Sequence, residues 1–256
     1  MTLIIQGFLW IFDPAHFVTT ATGTGIPDAL ASHLVLTGVS LLVTIVIAVP
    51  LGLYIGHTGK GRLVGIVASN VSRAFPSLGI IAIFVVIFQP IFSQNTNFAS
   101  AIVAFILLGI PPLLAGAYSG LEAVDRQTID AARAIGMTEW QILTKVEIPL
   151  GARLIVGGFR SSTLQIIATV TIASLYGNPL SLGTFITNGL AQADYPQMIA
   201  GAILVIALAL IIDGLLAIVQ RFVVPRGVSR GTTKTRNTAR GARLAANSGT
   251  PIMEGN

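Results

Sequence analysis

The chain has 256 residues, of which 53% are hydrophobic and 10% charged, with a formal net charge of +5 and a mean hydropathy of +0.82. A soluble domain of this length has no interior large enough for so much apolar surface, so lipid is the expected solvent for most of it. The absence of cysteine excludes disulfide scaffolds and thiolate metal sites.

The chain opens on MTLIIQGFLWIF, too short an apolar run to span a bilayer. It lacks the basic start and clear cleavage site of a signal peptide, so residues 1–33 are expected to form an extracytoplasmic arm that begins as an interfacial helix or a translocated segment. Five stretches then have the length and apolarity of spans: 34–55, 74–92, 98–121, 154–176 and 198–220. The fold class is therefore an all-α, polytopic membrane protein with about five transmembrane helices and a membrane domain over 34–220. Pro50, Pro76, Pro111 and Pro112 lie within or at the ends of these spans, where a missing backbone donor permits a kink, static or hinged.

The basic residues are unevenly spread. Lys60, Arg62 and Arg73 lie between spans one and two, and Arg126, Arg133, Lys145 and Arg153 between three and four. Seven more follow residue 220, whereas 1–33, 93–97 and 177–197 hold none. Lys and Arg are retained on the cytoplasmic side, which predicts an N-terminus outside and a C-terminus inside. The tail 221–256 is basic and rich in Gly, Ser and Thr, so it is expected to be disordered near anionic lipid, with no nucleic-acid partner.

Motifs for chemistry are missing. YIGHTGKGR is not a phosphate-binding loop, because Tyr54 stands where the first glycine belongs and Gly61 follows Lys60 where Ser or Thr is required. His16, His33 and His57 form no metal-ligand spacing, so no catalytic residue, metal or cofactor is expected.

Charge concentrates in the loop 121–151, which carries Glu122, Asp125, Arg126, Asp130, Arg133, Glu139, Lys145 and Glu147 between two uncharged runs. Its centre reads DAARAIGMTEWQILTKVEIPL from Asp130. Ile129, Ala132 and Ile135 have helical spacing over 128–135, and Gly136 ends that helix. Thr138 with Gln141 is a capping-box pattern that starts a second helix, with Trp140, Leu143, Thr144 and Val146 along one face, and Pro149 is expected to stop it.

DAARAIG followed by IP, with Gly136 and Pro149 thirteen residues apart, resembles the EAA loop of permease subunits of bacterial ABC importers, with Asp130 in place of the usual Glu. SRAFPSLGIIAIF, EIPLGARLIVGGFRSST and the five-span layout extend the likeness over about 34–220, and are similar to the branch that imports glycine betaine, choline, carnitine or proline. LYGNPLSLGTFITNGLA departs from that branch's glycine-rich GAGGLG segment. The resemblance implies a permease without its own ATPase site in the bacterial cell membrane. It also implies cytoplasmic ABC ATPase subunits, an extracytoplasmic substrate-binding protein, and a second permease, the same chain or a sister. Carried over by position, Asp130, Ala131, Ala132 and Gly136 form the ATPase docking core, with Asp130, Arg133 and Glu139 setting its register by charge and Pro149 closing the loop.

Other readings stay open: an importer for another small solute such as an amino acid or sulfonate, a secondary transporter, for which no inverted repeat is found, or a membrane scaffold. On the opposite side, 177–197 is expected to contact the binding protein or gate the pore, with Asn178 and Asn188 as probes. Within the spans, Arg160 lies about 9 Å from the cytoplasmic edge and Asp213 about 10 Å, at 1.5 Å per residue. They are at matching depth, so either they pair, or Arg160 snorkels to the headgroups while Asp213 faces water.

Overall fold

Pro27 in a first turn, where no N–H donor is needed, starts a long helix α2, Ile26–Thr58, well before the expected span start at Leu34. The earlier turns carry Asp28 and so look less apolar, yet Ile26, Ala29 and His33 on one face are all buried. Gly59 at φ +70° ends α2 by donating its N–H to the Ile55 carbonyl. The computed structural model describes residues 2–20, 23–63, 65–67, 76–88, 90, 96–176 and 181–223, and its regular elements are all helical. Arg73, Asn178, most of the expected outer loop 93–97 and the tail from 224 onward lie outside the described residues.

Ahead of α2, helix α1 is Thr2–Phe12. After it come α3, Ser77–Phe88, and α4, Thr96–Glu122, which runs through Pro111 and Pro112. The loop contributes α5, Arg126–Ala134, and α6, Glu139–Ile142. Next stand α7, Ile148–Ala173, α8, Gly183–Ala191, and α9, Tyr195–Val223. Among the described residues, three helices are long and apolar enough to cross a membrane: α2, Phe98–Glu122 of α4, and α9. α3 has only 12 residues, and α7 carries Arg153, Arg160 and several hydroxyls that lower its apolarity.

The centre of the bundle is α4 on α7, and small residues explain how closely they meet. A Cβ built on Gly116 would stand 2.5 Å from the Gly158 Cα, and one on Gly151 would stand 2.5 Å from the Gly120 carbonyl oxygen. Apolar side chains have no hydrophobic drive to associate in lipid, so such backbone approach and the dispersion it brings are what hold helices together there. Ser162 adds a hydrogen bond of 2.7 Å to the Gly109 carbonyl. Leu36, Ile81, Phe105, Ile166 and Val170 fill the space where α2, α3, α4 and α7 converge.

A controlled comparison follows from neighbouring glycines. A Cβ at Gly158 meets the Gly116 Cα at 2.7 Å, whereas one at Gly157 meets nothing within 4 Å. Gly158→Ala is expected to destabilise the protein by about 1–3 kcal/mol through overpacking, and Gly157→Ala to be neutral or slightly stabilising through helix propensity. Thermal unfolding in detergent checks this; equal melting temperatures for the two variants would refute the close-packing account.

The N-terminal run forms an 11-residue helix. It lies on α9, where Gly7 admits Ile199. Trp10 stacks on His16 with ring centroids 3.7 Å apart and meets the edge of Phe185 at 5.4 Å, so α1 also braces α8. Its other face, Leu3, Ile4, Ile5, Leu9 and Phe12, is exposed.

Candidate functional site

The hairpin of α5 and α6 is specified almost residue by residue. The Asp125 carboxylate accepts the Gln127 N–H at 3.0 Å and caps α5. At the far end Gly136 adopts φ +87°, its N–H donating to the Arg133 carbonyl at 2.9 Å while the Met137 N–H donates to that of Ala132 at 3.2 Å. This pair of bonds is the Schellman motif, which favours glycine at the left-handed position. Thr138 and Gln141 then form both halves of the capping box: the Thr138 hydroxyl accepts the Gln141 N–H and the Gln141 side chain accepts the Thr138 N–H.

Charge locks the two short helices together. The Arg133 guanidinium donates to both Glu139 oxygens at 2.7 and 3.0 Å, and to Asp130 at 3.4 Å. The hydrogen bond from Arg133 holds the Glu139 carboxyl below the usual glutamate range, and the same contact raises Arg133.

Pro149 does not stop the chain's helical course, contrary to expectation. α6 runs into a π-helical segment, Leu143–Glu147, in which the Ile148 N–H reaches back five residues to the Leu143 carbonyl, and α7 continues from there with Pro149 in its first turn. An α-helical register would set the proline ring against the carbonyl four residues back, and the wider π turn relieves that clash.

Of the residues expected at a docking core, Asp130, Ala131, Gly136, Arg133 and Glu139 are exposed, whereas Ala132 is 7% exposed and faces the protein interior. Pro149 is half-buried. The large outward side chains of the hairpin are Ile135, 79% exposed, and Trp140, 71% exposed. Ile135 was expected on the same face as Ala132; the Schellman turn at the helix end swings it outward instead.

Two residues that motif reading passes over complete the region. His57, near the end of α2, sets Nδ1 2.5 Å from the Glu147 carboxylate and Nε2 3.4 Å from that of Glu139. Glu147 is 3% exposed, which makes it a buried acid on the π segment. Beside them Arg62 pairs with Glu122 at 2.9 Å. The polar cleft between α2 and the hairpin has a volume of about 530 Å³ and is lined by these groups with Arg126 and Arg133. His57 and Glu147 are 90 residues apart, and no local pattern marks either of them.

Deeper in the bundle, the structure joins Arg160 on α7 to Asp213 on α9. The guanidinium makes three hydrogen bonds to the carboxylate, at 2.7, 2.9 and 3.0 Å. A fourth, at 2.7 Å, goes to the Gln220 amide oxygen, and the Gln220 amide nitrogen donates to the Arg153 carbonyl at 3.1 Å. The planar fork of Arg suits this arrangement, which Lys would not reproduce. Asn188 is exposed near the end of α8. The helix containing it packs closely on α9, since a Cβ on Gly201 would fall 2.9 Å from the Ile186 backbone nitrogen.

Residues 48–225 match the family model described as the binding-protein-dependent transport system inner membrane component. The chain is 35% identical over 198 residues to a glycine betaine/carnitine/choline transport system permease protein of Bacillus subtilis, covering 77% of this chain and 87% of that one. It is 29% identical over 217 residues to an osmoprotectant import permease protein of Salmonella typhimurium, covering 84% and 99%. Among solved structures, an inward-facing methionine ABC transporter matches with a TM-score of 0.67 at 19% identity, over 78% of this chain and 96% of that one, which is a likeness of fold.

Proposed function

We propose, from the premise that this chain belongs to the family of binding-protein-dependent transport system inner membrane components, that it is the permease through which a small quaternary-ammonium or related osmoprotectant enters the cell. The observation that carries the substrate class is the 35% identity to a glycine betaine/carnitine/choline permease over most of both chains. In this reading the chain crosses the membrane five times, with its N-terminus outside and its C-terminus inside, and pairs with a second permease, the same chain or a sister.

ATP is hydrolysed by separate cytoplasmic subunits, which dock on the hairpin. Its capped, ion-paired helices support that role, because a rigid element transmits a displacement that a floppy loop would absorb. Ile135 and Trp140 are the apolar anchors of this contact, ringed by Asp130, Arg133 and Glu139, which set its register. Closure of the ATPases displaces the hairpin and shifts the permease between inward-facing and outward-facing states, to the extent that the two states bind the nucleotide-loaded partner differently. The binding protein delivers solute on the opposite face, at 177–197, where Asn178 and Asn188 lie.

Uptake of labelled glycine betaine, choline, carnitine and proline by cells with and without this chain tests the proposal. Deletion is expected to abolish saturable uptake of at least one of the four. Unchanged uptake of all four would remove the osmoprotectant assignment, and loss of amino-acid or sulfonate uptake would replace it.

A further inference from the structure

We propose that His57 is a positioning residue that couples helix α2 to the hairpin, so that movement of the hairpin drives α2 as well as α7. The inference rests on the reading of the hairpin as the element that follows the ATPase. By chain connectivity the hairpin pulls on α4, which precedes it, and on α7, which follows it through the π segment. α2 has no such covalent link. Besides its packing on α4, where Gly52 and Gly56 meet Ala117 and Tyr118, α2 touches the hairpin and the π segment through the imidazole of His57, whose Nδ1 meets Glu147 at 2.5 Å and whose Nε2 meets Glu139 at 3.4 Å. Glu139 in turn grips Arg133, so one line of polar contacts joins α2, the π segment, α6 and α5.

Burial makes this contact more than a surface ion pair. Glu147 is 3% exposed, and a carboxylate withdrawn from water in this way is strongly destabilising once its partner is removed. The imidazole sets one ring nitrogen against each of the two carboxylates. The position of His57 on α2 also matters. Pro50 lies two turns earlier and has no N–H to offer the Val46 carbonyl, so the end of α2 from Leu51 to Thr58 is joined to the rest of the helix by a weakened turn. His57 sits at the far end of that short piece, beyond its packing on α4 at Gly52 and Gly56, where a pull from the hairpin has the greatest leverage.

The test uses the whole complex of permease, ATPase and binding protein in proteoliposomes and reads the amount of labelled glycine betaine moved per ATP hydrolysed. His57→Gln is expected to lower that ratio about tenfold, and His57→Lys, which places a cation opposite Glu147, to recover most of it. Glu147→Gln, made from the other side of the contact, should reproduce the loss, with the double variant His57→Gln/Glu147→Gln no worse than Glu147→Gln alone. A merely structural role would lower hydrolysis and transport together and leave the ratio at the unmodified value. An unchanged ratio in His57→Gln, or a His57→Lys protein no better than His57→Gln, would overturn the proposal. Failure of the underlying hairpin reading looks different, because the unmodified chain would then not retain its ATPase.

Discussion

Reversing either charge of the half-buried pair, Arg160→Asp or Asp213→Arg, is expected to abolish transport, and reversing both together to recover a substantial part of it. Each single swap places two like charges across the 2.7 Å contact and leaves no counter-ion for them. Removing one partner of a fully buried pair costs about 3–5 kcal/mol; here the side chains are 27% and 33% exposed, so the loss is smaller, though repulsion adds to it. A reduction of that size is enough to unfold a marginally stable membrane bundle or to free α9 from α7. The double swap restores opposite signs but not the geometry. Aspartate at 160 is shorter than arginine and no longer reaches Gln220, so the Arg153 carbonyl loses the braced partner it now has. Protein level in the membrane and glycine betaine uptake are the measurements. Two harmless single variants, or a double variant no better than the worse single one, would show that the pair contributes nothing.

The matching depth of Arg160 and Asp213 was legible in the sequence because helix rise is a constant, but whether they pair or lie apart was not. Counting residues from each span end puts Arg160 and Asp213 level, and a charge in hydrocarbon needs a partner. The hairpin was legible for a related reason: a glycine-terminated helix and a capping box are local codes, complete within six residues of chain, and Gly136, Thr138 and Gln141 are all in place. What required the structure was whatever depends on rotation or on distant chain. Spacing alone does not say whether Ala132 or Ile135 faces inward. Pro149 reads as a stop unless the π register before it is known. The first turns of α2 are amphipathic, so a hydropathy window starts the helix too late. His57 and Glu147 lie 90 residues apart, and nothing near either one announces the other.

Gly136→Val is expected to eliminate uptake while leaving the chain in the membrane. The effect arises from the backbone and not from crowding, because a Cβ at this position meets nothing within 4 Å. At φ +87° a β-branched residue is strained by about 1–3 kcal/mol. The turn can escape that strain only by giving up its two closing bonds, from Gly136 to Arg133 and from Met137 to Ala132. Once they open, Thr138 no longer lies where it caps α6, and the Arg133 guanidinium loses the alignment that lets it hold both oxygens of Glu139. The hairpin then loses the rigidity on which the proposed coupling depends, while the spans, packed through α4 and α7 elsewhere, keep their contacts. Asn tolerates the left-handed region better than other residues with a side chain, so Gly136→Asn should retain partial uptake, and the order Gly, Asn, Val is the signature of a backbone cause. Retention of the ATPase on the purified permease, measured beside uptake, locates the defect: normal uptake with full ATPase retention in Gly136→Val would mean that this turn has no part in coupling.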